Sequence, residues 1–125
     1  MSYTEPLPPG CPPDGAEEIT AQRDVFRLVR SNPPTLEDFR SQREERPDAV
    51  FHGVTECQAR GLSVFADRQD SQKAAKLPRL RGRAVCRVKL EAGAGRIQQT
   101  GKPSHHTFWP LAAFDILGQC EMEAV

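Results

Sequence analysis

Proline placement bounds what this chain can build before any other feature is read. Proline lacks an amide donor and fixes φ near −65°, so it breaks helices and stays out of central strands. Five of the eleven prolines fall within residues 1–15, beside Gly10 and Gly15. That stretch can hold neither a helix nor an interior strand. Residues 1–18 are therefore expected as a proline-rich tail or as an extended strap, with Tyr3, Leu7 and the proline rings available for burial. Residues 19–125 are expected to form one domain, since 13.9 kDa allows a single hydrophobic core.

The first strand reads over residues 25–30, VFRLVR. Alternation puts Phe26, Leu28 and Arg30 on one face and Val25, Arg27 and Val29 on the other. An arginine between two valines belongs at a sheet edge or in a polar cleft. Ser31-Asn32-Pro33-Pro34 stops the strand. Thr35 with Asp38 three residues on resembles a capping box, and predicts a helix running toward Pro47, anchored by Leu36 and Phe39. A second short helix reads over 55–60 and ends at Gly61, followed at once by a strand over 62–66. Asp67 or Asp70 caps a third helix that ends before Pro78.

Residues 83–91 give the clearest strand, with Cys86, Val88 and Leu90 inward and Arg87 and Lys89 outward. Ala92-Gly93-Ala94-Gly95 reads as a hairpin turn into a strand over 96–100. The segment SHHTFWP and an apolar close, LAAFDIL, complete the chain. This order predicts an α+β fold: a single small domain with a mostly antiparallel sheet and two or three short helices. The expected core is Phe26, Leu28, Leu62, Val64, Phe65, Val85, Cys86, Val88 and Leu90.

Composition excludes some classes. Mean hydropathy is −0.57, and no apolar run approaches the roughly 20 residues of a membrane helix. The opening MSYTEPLPPG has neither the basic start nor the apolar stretch of a secretory signal, so a cytoplasmic location is expected. Cys11, Cys57, Cys86 and Cys120 lie 46, 29 and 34 residues apart, with no CxxC. Such spacing supports neither a zinc site nor a disulfide framework, and reduced thiols are expected.

A net charge of zero conceals segregation. Residues 1–59 carry six basic and eleven acidic side chains, a net of −5. Residues 60–102 carry eleven basic and three acidic, a net of +8, and residues 103–125 carry three acids and no Lys or Arg. The basic third either pairs with the acidic first half or faces an anionic ligand, RNA or an acidic partner.

The densest chemical cluster is SHHTFWP, with two histidines, two hydroxyls and the only tryptophan. In an extended backbone His105 and Thr107 share one face, and His106 and Phe108 the other. A base stacked against His105 or His106 and Trp109 would suit a nucleotide. Ser63 points away from Leu62 and Val64 and suits a pocket wall. No GxSxG elbow accompanies it. Gly93-Ala94-Gly95 is a turn rather than a phosphate loop. Glu121 and Glu123 share a face if extended, at a chain end where fraying is the norm.

The pattern FRLVR, then GLSVF about 35 residues on, then HHTFWP, resembles small bacterial proteins of similar length. It is also similar to the ADP-ribosyltransferase superfamily, in its arginine–serine–glutamate class. That resemblance implies NAD as cofactor, with Arg27 or Arg30 holding a phosphate or ribose and Ser63 ordering the nicotinamide pocket. It gives Glu121 or Glu123 the role of stabilising the sugar cation or its nucleophile. The family's Ser-Thr-Ser is Leu62-Ser63-Val64 here.

From the residues, no convergent catalytic set is legible and no cofactor is called for. The first expectation is a small cytoplasmic interaction or accessory module whose partner is another protein. The second is a protein that binds a nucleotide such as NAD or ADP-ribose, using Arg27, Arg30, Ser63, His105, His106 and Trp109, which then have to converge on one concave pocket. Nucleic-acid binding through residues 79–89 comes last, since no aromatic side chains interleave that segment.

Overall fold

Segments with β-branched and aromatic side chains at alternate positions pair into a single antiparallel sheet in the computed structural model, which describes residues 2–123. The strands are β1 (Glu17–Glu18), β2 (Arg23–Val29), β3 (Leu62–Phe65), β4 (Ala84–Leu90), β5 (Gly95–Gln99), β6 (His105–Pro110) and β7 (Cys120–Met122). Their order across the sheet is β1-β5-β6-β3-β2-β4-β7. Three short helices, α1 (Gln42–Glu45), α2 (Glu56–Ala59) and α3 (Arg68–Ala75), complete an α+β fold, with 3-10 turns at Leu36–Phe39 and Pro78–Leu80. No helix among the described residues is long and apolar enough to cross a membrane.

The expected hairpin between β4 and β5 is not formed. β5 pairs with β6 and β1, while β4 pairs with β2 and β7. Three strands therefore separate β4 from β5, yet only four residues join them. Flat, the gap would be about 19 Å at 4.8 Å per strand, beyond the reach of a four-residue turn closed by Ala94 N donating to Glu91 O. The sheet must curl, bringing its two halves round one core. Residues from β2 to β6 meet there in one cluster with Ile19, Phe39 and Ala94, and Phe114, Ile116, Leu117, Cys120 and Met122 cover it.

Six of the nine expected core residues are buried: Leu62, Val64, Val85, Cys86, Val88 and Leu90. Phe26, Leu28 and Phe65 are only partly buried. They stand on the other face, where Phe26 pairs with Phe65 and Leu28 with Val85, and α3 packs across β2, β3 and β4. The β2 residues in the core are Val25 and Val29, and Phe108, Trp109 and Ile97 join them in burial.

The helix expected from Thr35 toward Pro47 is broken in two. The Asp38 carboxylate accepts from Thr35 N (3.0 Å) and Arg30 N (2.8 Å), closing a 3-10 turn onto β2. Ser41 then starts α1 afresh by accepting from Glu44 N at 3.1 Å. Phe39 is buried as expected, but Leu36 is 67% exposed and anchors nothing. The reading over 55–60 holds closely: α2 is capped by Thr55, which accepts from Gln58 N. Asp67 caps α3.

Residues 2–16 run as a strap. Tyr3 bridges Leu111, Thr4 N donates to Pro110 O at 2.9 Å, and Arg60 Nη1 donates to Pro6 O at 2.8 Å. Cys11 then bonds to Cys57 of α2, with Cα atoms 5.6 Å apart. This corrects the expectation of four reduced thiols. Spacing along the chain could not reveal the pair, because tertiary return of the strap creates it. Cys86 and Cys120 are free, and Cys86 is fully buried.

Candidate functional site

β2 and β3 share a single paired position, Phe26 with Phe65, and beyond it the two strands part. Arg27 fills the split. Its Nε donates to Asp38 O (2.9 Å), Nη1 to Ser63 O (2.8 Å) and Nη2 to Arg40 O (3.3 Å). Three backbone carbonyls that the splayed strands and the 3-10 turn leave unpaired are thus satisfied by one side chain. The guanidinium also lies 5.8 Å from the Phe39 ring centroid. Burial pulls its pKa down to about 10, opposed by the Glu45 and Asp38 carboxylates, so it stays cationic at neutral pH. A guanidinium has five N–H donors; three are spent on carbonyls and two remain. The arginine flanked by two valines sits in a polar cleft, one of the two settings its sequence position allowed.

A cavity of about 420 Å³ opens at this split, within the usual range for small-molecule sites. Arg27, Ser63 and His105 line it, three of the six expected ligand-binding residues. Arg40, Arg79 and Arg83 line it as well, against one carboxylate, Glu45. Arg40, Arg79 and Arg83 form no ion pair among the described residues. Glu45 lies 3.4 Å from Arg30, so Arg30 reaches the cavity only through that carboxylate. A concave surface with this excess of guanidinium concentrates anions.

Ser63 is exposed between buried Leu62 and Val64 and faces Thr107 across β3 and β6. His105 Nδ1 lies 3.0 Å from Thr100 Oγ1, which lies 2.8 Å from Thr107 Oγ1. The His105 ring meets Phe65 edge-on, with centroids 5.6 Å apart. Burial, aided by neighbouring His106, pushes the His105 pKa below its ordinary value.

The remaining expected residues stand elsewhere. His106 is on the opposite face of β6, its Nδ1 2.8 Å from Ser104 O. Trp109 is buried, and its Nε1 donates to Cys57 O at 2.9 Å, so it anchors α2 rather than stacking on a ligand. Glu121 pairs with Arg87 and Glu123 with Arg68 on and beside β7, beyond β4 in the sheet. Sequence reading missed Arg40 and Thr100, ordinary residue types whose placement depends on the split, and named Thr107 only as sharing a face with His105. Among the described residues no group of His, Cys, Asp and Glu could hold a metal ion.

The fold and site together define a small α+β protein with an arginine-lined cavity in a split antiparallel sheet. Comparison with protein-family models, curated proteins and solved structures returns no match.

Proposed function

We propose that the cavity binds a phosphate-bearing nucleotide of the NAD or ADP-ribose kind. The observation that carries this reading is the convergence of Arg27, Arg40, Arg79 and Arg83, from three separate stretches of chain, on one cavity with a single lining carboxylate. Guanidinium donors match phosphate oxygens in geometry and charge. The polar wall of Ser63 and His105 then offers hydrogen bonds to sugar or carboxamide oxygens. Arg79 and Arg83 turn into the cavity while Arg87 pairs with Glu121, which favours a small anion over a nucleic acid lying along residues 79–89. The large apolar side chains that stand exposed, Leu36, Val50 and Leu77, come from separate segments. They speak less for a protein-docking module than the cavity speaks for a nucleotide.

Thermal unfolding with NAD, ADP-ribose, ATP and a short RNA tests the reading. A ligand at 100 times its Kd adds about 2.7 kcal/mol, several degrees for a chain this size. The expected result is a shift with ADP-ribose or NAD that is lost in Arg83→Ala. An unchanged midpoint with all four overturns the proposal, and a shift with RNA alone replaces it by the nucleic-acid reading.

A second reading takes the two residues of the transferase resemblance that meet in the cavity, Arg27 and Ser63, with a lining carboxylate that stands before Ser63 in the chain rather than after it as the resemblance has it. The carboxylate is Glu45, not Glu121 or Glu123. Slow release of nicotinamide from NAD, abolished in Glu45→Gln, is its expected signature. A cytoplasmic setting would expose the Cys11–Cys57 bond to reductants. Thiol titration of protein denatured directly from cells, giving four free thiols or two, decides that point.

A further inference from the structure

Two contacts join three side chains on one wall of the cavity, and their protons can be counted. His105 Nδ1 meets Thr100 Oγ1, and Thr100 Oγ1 meets Thr107 Oγ1. The two hydroxyls bring two protons. With Nδ1 unprotonated, Thr107 donates to Thr100 and Thr100 donates to His105, so both protons fill both contacts. With Nδ1 protonated, three protons compete for two contacts. One hydroxyl proton then has no acceptor among the described residues. Thr107 is 3% exposed and keeps its donation to Thr100, so the surplus falls on half-buried Thr100, whose proton turns into the cavity and loses the ring acceptor it has when Nδ1 is bare. The same surplus arises if the ring becomes an imidazolium, so the threonines also oppose its protonation.

The ring proton therefore belongs on Nε2, which makes no hydrogen bond among the described residues, on a side chain that lines the cavity. Arg83 lies away from it, whereas Arg27, next to Phe26 on β2, spends three of its donors on backbone carbonyls. His105, Phe65 and Phe26 stand opposite one another on β6, β3 and β2. Ala84, next to Arg83, pairs with Val29, three residues further along β2. That is about 10 Å of strand.

We propose that Thr100 and Thr107 are positioning residues that fix His105 as the neutral Nε2–H tautomer, and that this N–H donates to an uncharged acceptor oxygen on the ligand, a ribose hydroxyl or carboxamide carbonyl, remote from its phosphates. The proposal rests on the nucleotide reading of the cavity and narrows it. The ligand has a phosphate end and a neutral oxygen end, as in a nucleoside diphosphate sugar, and free phosphate or pyrophosphate satisfies only half the site.

Two measurements test it. Long-range proton–nitrogen NMR of the His105 ring at neutral pH is expected to show a protonated Nε2 and a bare Nδ1, with the preference weakened in Thr100→Val. A protonated Nδ1 in the unmodified protein overturns the tautomer assignment. Titration calorimetry with ADP-ribose and with pyrophosphate reads the ligand contact. His105→Phe is expected to weaken ADP-ribose by about tenfold, the scale of one hydrogen bond, and to leave pyrophosphate unchanged. His105→Gln, which keeps an N–H donor, is expected to recover part of the loss, and circular dichroism of each variant confirms its fold. Equal weakening of both probes overturns the contact. Failure of both probes to bind the unmodified protein overturns the nucleotide reading and the contact together, while the ring nitrogens still decide the tautomer.

Discussion

A methyl group added at Gly61 would overlap Thr107 Cγ2 and crowd Trp109 Nε1 at 3.0 Å. Gly61 is thus needed for close approach between the end of α2 and β6, beside the threonine that orders His105. Overpacking of this kind costs about 1–3 kcal/mol, so Gly61→Ala is expected to lower the urea midpoint and to weaken ADP-ribose binding together. Arg27→Met is expected to cost more, about 3 kcal/mol or above, because three carbonyl oxygens lose a charged donor at once. Denaturation with unchanged m-value would check that the loss is one of stability. At this scale the sequence exposed Arg27 because it stands between two valines, Ser63 because alternation turns it away from Leu62 and Val64, and His105 because it lies in the densest chemical cluster of the chain. It also pointed to Trp109 and His106, because rich chemistry looks the same whether spent on a ligand or on a backbone carbonyl. Thr100 and Arg40 carried no such mark. Their role follows from a split between strands that no local pattern encodes.

Helix α2 has four residues, too few to persist alone, and its position comes from what grips it. Arg43 donates to both Glu56 oxygens at 2.8 Å, and Arg60 Nε donates to one of them at 2.9 Å. The Arg43 hydrogen bonds, and then those of Arg60, hold the Glu56 carboxyl at about 2, against an ordinary 4.5. A carboxylate with a depressed folded-state pKa stabilises the fold fully above 4.5 and loses that contribution as pH falls toward 2. The difference in melting temperature between the unmodified protein and Glu56→Gln is therefore expected to be constant near neutral pH and to close through that acidic window. The group is exposed and screened, so a gap of a few degrees or less is expected. Elements were legible where capping was local, as at Thr55 and Asp67. They were misread where a side chain was diverted to tertiary work: Asp38 serves β2 as much as its own turn, which ends the helix expected toward Pro47.

Across the whole molecule, the curled sheet and the strap solve one problem in two ways: each brings sequence-distant segments onto a core too small to hold them by burial alone. Sequence patterns could report that strands exist, but not that three strands separate β4 from β5 in the sheet, because a four-residue Gly-rich turn serves a hairpin equally well. The strap is tied at both ends of its path, to Pro110 and Leu111 by backbone bonds and to α2 by Cys11–Cys57. A cross-link over 46 residues restricts the unfolded chain by about 4 kcal/mol on the chain-entropy account, and measured values fall near 2–4. Reduction is thus expected to lower stability by about 2–4 kcal/mol. Cys57 also supplies the carbonyl that Trp109 Nε1 donates to, and Gln58 and Gly61 beside it line the cavity. Loosening of α2 is therefore expected to reach both the only tryptophan and the ligand site. Reduced protein, still folded by circular dichroism, is expected to show red-shifted Trp109 emission and weaker ADP-ribose binding. An unchanged emission maximum with a lowered urea midpoint would mean that Arg43, Arg60 and the backbone bonds of the strap hold α2 unaided. The disulfide would then act on the unfolded chain alone.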